Sequence, residues 1–343
     1  MIQTAAPPTA GAAVTRRPRW WTAVALAAAL GAVALSIAFG SRVVSLPEVW
    51  QAIVVGGDDI TAAAVRSRVP RTLLALLVGA SLAMAGVMLQ GVTRNPLADP
   101  YILGINSGAS LTVVIGIAFV GIHSMQGYIW FALTGAALAA AFVYTVGSLG
   151  RGGPTPLKLA LAGAITTAAL TSLTTAILLP RMEVMNVYRF WVVGGVGRAE
   201  NHDTLTVMPF IAVGVALCAL TASGLNLLGL GDDAAAGLGV PVVRTRLLAA
   251  TGGVLLCGAA TALAGPIGFV GLVVPHLVRL VIGSDHRWLL PVSALTGAAL
   301  LTLADTVGRV VARPQEIEVG IITALLGAPV FIWVVLTRTG VRA

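Results

Sequence analysis

Charge is what this sequence has least of. Of its 343 residues, 10% are Asp, Glu, Lys or Arg, against roughly 25% in a soluble domain. So few charges cannot cover a surface that faces water. Lysine is nearly missing: Lys158 is the only one among 21 basic residues, and Leu157 precedes it. A P-loop needs Gly-Lys-Ser/Thr to hold nucleotide phosphates, so this chain has none. If ATP drives the protein, another chain must bind it. Histidine is sparse as well. His123, His202, His276 and His286 stand at no metal-ligand spacing from a cysteine or carboxylate. A membrane enzyme would need such a constellation facing the membrane interior. No resident cofactor, metal or covalent chemistry is therefore expected. The two cysteines, Cys218 and Cys257, lie inside apolar runs. They read as small packing residues and carry no information about redox compartment.

What the chain does have is apolar length. It is 57% hydrophobic, with a mean hydropathy of +0.95. Lipid must be the solvent for most of it. A bilayer core needs about 20 apolar residues per helix, and only helices or closed barrels can span it. The runs are continuous rather than alternating, which excludes a barrel. An all-α membrane protein is expected. About ten spans are cut out by Pro, Gly and charge: 20–40, 70–92, 101–121, 127–149, 157–179, 204–223, 245–264, 266–282, 289–308 and 317–337. Gly104, Gly108, Gly135 and Gly163 fall inside them, where small residues let helices approach.

The net charge of +8 would suggest nucleic acid in a soluble protein. In a membrane protein, basic residues gather on cytoplasmic loops, and no nucleic-acid partner is expected. With the N-terminus inside, the inner segments hold 12 positive and 4 negative residues, and the outer ones 9 and 9. That surplus puts both termini in the cytoplasm. Residues 1–19, ending in Arg16, Arg17 and Arg19, read as a disordered basic tail. The run from Trp20 to Gly40 is longer than a signal-peptide core. Residues 20–343 then form one transmembrane domain. Gly79-Ala-Ser-Leu-Ala-Met-Ala-Gly86 matches Gly258-Ala-Ala-Thr-Ala-Leu-Ala-Gly265 at five of eight positions. These are the second and seventh spans. An offset of five inverts one half against the other, giving two five-helix halves at about 20–200 and 201–340.

Three stretches stand out. The first runs Arg68-Val-Pro-Arg71 to Gln90, then Arg94-Asn-Pro-Leu-Ala-Asp-Pro100 and Leu103-Gly-Ile-Asn-Ser-Gly108. It reads as a helix started by Pro70, then a tight inner turn at Asn95, Pro96 and Pro100. The second is the inner segment 224–243, with Asp232-Asp-Ala-Ala-Ala-Gly-Leu-Gly239 at its centre. Gly237 and Gly239 would end a short helix there, which could face a soluble partner or be a plain linker. The third runs Gly265-Pro-Ile-Gly-Phe-Val-Gly-Leu-Val-Val-Pro-His276, then Asp305 and Arg309, then Glu318 to Leu326-Gly-Ala-Pro-Val-Phe331. Gly and Pro inside spans mark broken helices. Asp305 and Arg309, four apart, form a local ion pair or a functional intramembrane charge. The hydroxyls of Thr166, Thr167, Thr171, Ser172, Thr174 and Thr175 either face a path or bond back to carbonyls.

Taken together, Arg-x-Pro-Arg, Gln-x4-Asn-Pro-Leu-Ala, Gly-Phe-Val-Gly-Leu-x2-Pro-His and Leu-Gly-Ala-Pro-x-Phe resemble the FecCD-type permease family over about residues 65–340. These are the membrane subunits of type II ABC importers for ferric siderophores, haem and vitamin B12. The resemblance implies a multi-pass permease of a bacterial cytoplasmic membrane. It implies a second permease chain, identical or different, two cytoplasmic ATPases that bind ATP and Mg, and an extracytoplasmic substrate-binding protein. The family's docking arginines fall on Arg68, Arg71 and Arg309. Its inner gate falls on Asn95 and Leu97, with a looser match near Thr155–Lys158. Its coupling element falls on Asp232, Asp233, Ala236, Gly237, Leu238 and Gly239. A ferric siderophore is the expected cargo, with haem or cobalamin as alternatives within the class. The alternative of another class is an ion-coupled transporter using Asp305.

Overall fold

Each of the ten apolar runs cut by Pro, Gly and charge contains a helix among the described residues. The computed structural model describes residues 18–40, 60–96, 98–99, 104–150, 155–197 and 200–338. The helices are α1 (Pro18–Ala38), α2 (Ile60–Thr93), α3 (Ile105–Ile115, continued by a π-helical turn, Gly116–Val120), α4 (Met125–Ser148), α5 (Pro156–Leu178), α6 (Met182–Val192), α7 (Asn201–Leu228), α8 (Asp232–Gly237), α9 (Val242–Ala264), α10 (Val270–Ile282), α11 (His286–Val311) and α12 (Val319–Arg338). No strand occurs among the described residues. The expected basic tail lies outside them up to residue 17, and α1 already includes Pro18 and Arg19.

Seven of these helices are long and apolar enough to cross a membrane, and three shorter apolar ones complete the ten. The short ones are informative. The 13 residues of α10 rise only about 20 Å, well short of a hydrocarbon core of about 30 Å. The rest of that span is the non-helical stretch 265–269. Gly265 and Phe269 there both have positive φ, +72° and +69°, so the helix cannot begin earlier.

Burial separates core from periphery. The spanning windows of α2, α9 and α11 are 78%, 72% and 61% buried, whereas those of α1, α4, α5 and α7 are at most 33%. The first three therefore form the centre. The others turn large side chains such as Leu138, Phe142, Ile165 and Leu220 outward, as a lipid-facing surface requires.

Close helix contacts explain the glycines. Gly79 of α2 and Gly297 of α11 each meet the other's carbonyl oxygen, so a Cβ at either would collide with backbone. Gly108 of α3 and Gly135 of α4 meet in the same way. The repeat is visible in these contacts. Gly79 sets α2 against α11, and its counterpart Gly258 sets α9 against Ala136 of α4. The two pairings exchange spans at an offset of five.

Two sequence expectations change. Pro70 does not start its helix: α2 begins ten residues earlier and Pro70 lies inside it. Membrane helices tolerate an interior proline because neighbouring groups re-satisfy the freed carbonyl. The loop after the fifth span also contains an unexpected helix, α6. Its buried residues Val184, Tyr188 and Trp191 recur at the helical spacing of four and three.

Candidate functional site

Polar side chains gather at the two ends of the bundle. At the end expected to face outward, α1 stops at Ala38 and leaves its last carbonyls without helical partners. Two arginines supply them. Arg68 Nη1 donates to Ile37 O (2.8 Å) and Ala38 O (3.2 Å). Arg309 Nη1 donates to Ser36 O (3.1 Å) and Phe39 O (3.3 Å). Cations at a helix C-terminus also complement its dipole. A hydroxyl relay continues from there. Arg309 Nη2 donates to Ser36 Oγ (2.7 Å), Ser36 Oγ lies 2.7 Å from Thr72 Oγ1, and Thr72 donates to Arg68 O (2.8 Å).

Asp305 sits beneath this cap, 1% exposed. Arg71 Nη2 reaches its Oδ1 at 2.8 Å and Arg71 Nε both oxygens at 3.1 Å. Arg309 Nε lies 3.0 Å from the second oxygen. Arg71 Nη1 also bonds Glu316 Oε2 at 2.6 Å. The local pair read from sequence is thus one arm of a four-residue network joining α2, α11 and the segment before α12. The three expected docking arginines all line one depression of about 530 Å³, together with Glu200, His202 and Glu316. Arg68 and Arg309 are buried at its floor, and Arg71 is the more accessible, with 17% of its side chain exposed.

At the opposite end, α2 stops at Thr93 and the chain turns through Arg94, Asn95 and Pro96. Arg94 is left-handed, with φ +49°, and Asn95 O accepts from Ala98 N (3.0 Å). Leu97, the other expected gate residue, lies outside the described residues. Thr155 caps α5 by accepting from Lys158 N (3.3 Å), and Lys158 Nζ donates to Leu149 O (3.2 Å).

The segment expected to couple to a partner forms α8, between the ends of α7 and α9. Its last turn closes by two bonds, Gly239 N to Ala236 O (2.9 Å) and Val240 N to Ala235 O (3.0 Å). That is a Schellman stop, and Gly239, at φ +81°, supplies the left-handed residue that it needs. Ala235 is buried against the bundle, while Asp233, Ala236, Gly237, Leu238 and Gly239 are exposed. Asp232 accepts from Arg246 Nη2 of α9 (3.0 and 3.3 Å) and from Arg94 Nη2 beyond α2.

Sequence reasoning missed a second cluster at this end. Asn226 Nδ2 of α7 donates to Asp285 Oδ1 (2.6 Å), and Asn226 Oδ1 accepts from the His286 amide (2.9 Å). Arg279 donates to Gln90 Oε1 (2.9 Å) nearby. No spacing pattern announces these contacts, since the partners are 59, 60 and 189 residues apart. The α5 hydroxyls mostly bond back one turn: Thr166, Ser172, Thr174 and Thr175 donate to the carbonyl four residues earlier. No group of metal ligands forms among the described residues.

Known proteins resemble this chain along nearly its whole length. The ferric enterobactin transport system permease protein FepD of Escherichia coli is 43% identical over 273 residues, covering 80% of this chain and 81% of its own length. The hemin transport system permease protein HmuU of Yersinia pestis is 40% identical over 282 residues, covering 80% and 84%. A solved inward-facing structure of a metal-chelate type ABC transporter is 30% identical. It superposes with a TM-score of 0.79 and covers 93% of this chain and 99% of its own. The model of the FecCD transport family matches residues 26–337, and with that span matched the chain belongs to the FecCD transport family.

Proposed function

We propose that the chain is the membrane-spanning permease of an ATP-driven importer that carries a ferric siderophore into the cytoplasm by alternating access. The observation that carries this reading is α8. A chain with no P-loop displays a short, sharply stopped helix, exposed on one side and bound to the gate turn on the other. That is the arrangement a membrane subunit needs to take work from a separate ATPase. Two such ATPases, holding ATP and Mg, would seat on the α8 segments of two permease copies. The same segment, at 232–239, bears the family's coupling positions. The Asn95–Leu97 turn beside it would close the inner end of the path.

Docking of a substrate-binding protein belongs at the other end. Arg68, Arg71 and Arg309 line the depression with Glu200 and Glu316, and Asp305 is buried against two of the arginines. Arginines on a docking face favour acidic groups on the partner and set its register. Arg68 and Arg309 act there through their field, because both are buried and donate to carbonyls at the end of α1. Arg71 stands closest to a partner.

Ferric enterobactin is the cargo named for FepD, as hemin is for HmuU. Iron–siderophore uptake is the first cargo to test, with haem and cobalamin as the competing outcomes within the class. The ion-coupled alternative draws no support from Asp305: its carboxylate is held by two guanidiniums, so it is a structural cluster rather than an open carrier site. The test is uptake of ⁵⁵Fe-siderophore by the reconstituted complex. Uptake is expected to stop when the P-loop lysine of the ATPase is replaced and to continue when the proton gradient is collapsed. The opposite pair of results rejects the proposal.

A further inference from the structure

The coupling helix is tied to the gate by one carboxylate. Asp232 accepts from Arg246, in the first turns of α9, and from Arg94, which follows the last turn of α2. Arg94 and Asp232 are 138 residues apart in sequence. The packing of α8 is against α7 and α9, its neighbours in the chain. The Arg94–Asp232 pair adds a bond to α2.

Three properties of this bond suit it to carry movement. First, Arg94 is left-handed, a conformation that residues other than Gly, Asn and Asp rarely adopt. Its backbone is held in a particular turn, and the side chain leaves that turn toward α8. Second, Pro96 follows two residues later and fixes φ locally, and Asn95 O bonds Ala98 N. The turn therefore moves as a unit. Third, both partners are solvent-accessible, with Arg94 35% and Asp232 47% exposed. Exposed ion pairs add little to folding stability. The position of the pair, joining two elements that would have to move together, gives it a use that stability does not.

We propose that Asp232 is the positioning residue that links α8 to the inner gate. It grips Arg246 and Arg94 at once, so displacement of α8 draws the Arg94–Asn95–Pro96 turn with it. Arg246, with 13% of its side chain exposed, is the fixed arm, and Arg94 is the arm that moves the gate. This rests on the reading of α8 as the ATPase contact.

The test uses the full complex with its ATPase in nanodiscs, spin-labelled at Asn95→Cys on both permease copies. The two native thiols are buried and stay unlabelled. ATP–Mg is expected to change the label separation in the otherwise unaltered complex. With Arg94→Ala, ATP hydrolysis should persist and the ATP-driven change should be lost; Asp232→Asn should lose the ATP-driven change as well. Arg94→Lys and Asp232→Glu, which keep the charges, should retain it. A change of unaltered size in Arg94→Ala and Asp232→Asn overturns the link. So does loss of ATPase assembly in either variant, which makes the residue a docking contact instead. If the unaltered complex shows no ATP-driven change while the ATPase is bound, it is the importer reading that fails.

Discussion

At the scale of single residues, the outer arginines differ in what they do. Arg309 and Asp305 are both almost fully buried, so each depends on the other for compensation. Removing one partner of a buried pair costs about 3–5 kcal/mol. Asp305→Ala leaves two guanidiniums facing each other and is expected to lower the thermal midpoint of the detergent-solubilised protein by that scale of destabilisation. A midpoint unchanged by Asp305→Ala contradicts the network. Arg68 is a helix cap. Arg68→Met keeps the packing volume but strips Ile37 O and Ala38 O of their shared donor. The cost of a buried acceptor left unmade is about 1–3 kcal/mol. Hydrogen exchange should rise in the last turn of α1 and stay unchanged in α7. Uniform exchange across both helices argues against a local cap.

At the scale of elements, close backbone contact sets which helices pair. Gly297 faces Gly79 O and the Ala83 side chain, so a larger residue forces α2 and α11 apart. Overpacking a tight core costs about 1–3 kcal/mol, and this contact lies between the two most intimately packed central helices. Gly297→Leu is therefore expected to reduce the folded yield in membranes sharply. Gly237→Ala is the contrasting case, because a Cβ there meets nothing within 4 Å. It should fold normally and, by lowering the cost of the helical state, leave α8 intact by circular dichroism of the purified protein. Equal yields for the two variants would remove the close-approach argument.

At the scale of the whole molecule, charged side chains gather at the two ends of the bundle. The outer depression carries Glu316 beside Arg71, and Glu316 is 40% exposed. Glu316→Gln removes one of the two acids that line the depression with Arg71 and leaves the buried Arg71–Asp305–Arg309 contacts standing. Association with an acidic binding protein should become faster and its salt dependence steeper, since steering by unlike charge acts mainly on the on-rate. Surface plasmon resonance at two ionic strengths reads both. A slower association after this substitution would mean that the partner's docking face is basic.

Much of the architecture was legible from hydropathy alone. The ten runs reappear as helices because lipid offers a backbone no other partner than itself, so apolar length translates directly into a span. The short helix α8 was legible too, because glycines at 237 and 239 leave little choice of stop. The family motifs located Arg68, Arg71, Arg309 and the Asn95 turn by number. What those residues touch was not legible. Asp305 and Arg309 are four apart and predict a pair. Arg71 is 234 residues from Asp305, and nothing in the local pattern brings it there. The helix start at Ile60 rather than Pro70 was hidden because tertiary neighbours, not propensity, decide whether an interior proline is tolerated. Hydrophobic pattern and punctuation thus determined that this chain crosses the membrane as ten helices in two inverted halves. Only the tertiary structure decided that α2, α9 and α11 are the core, that two arginines close α1, and that Asp232 joins α8 to the turn after α2. The reason is physical: a span is a property of one segment and its solvent, whereas an ion pair depends on where two distant segments come to rest.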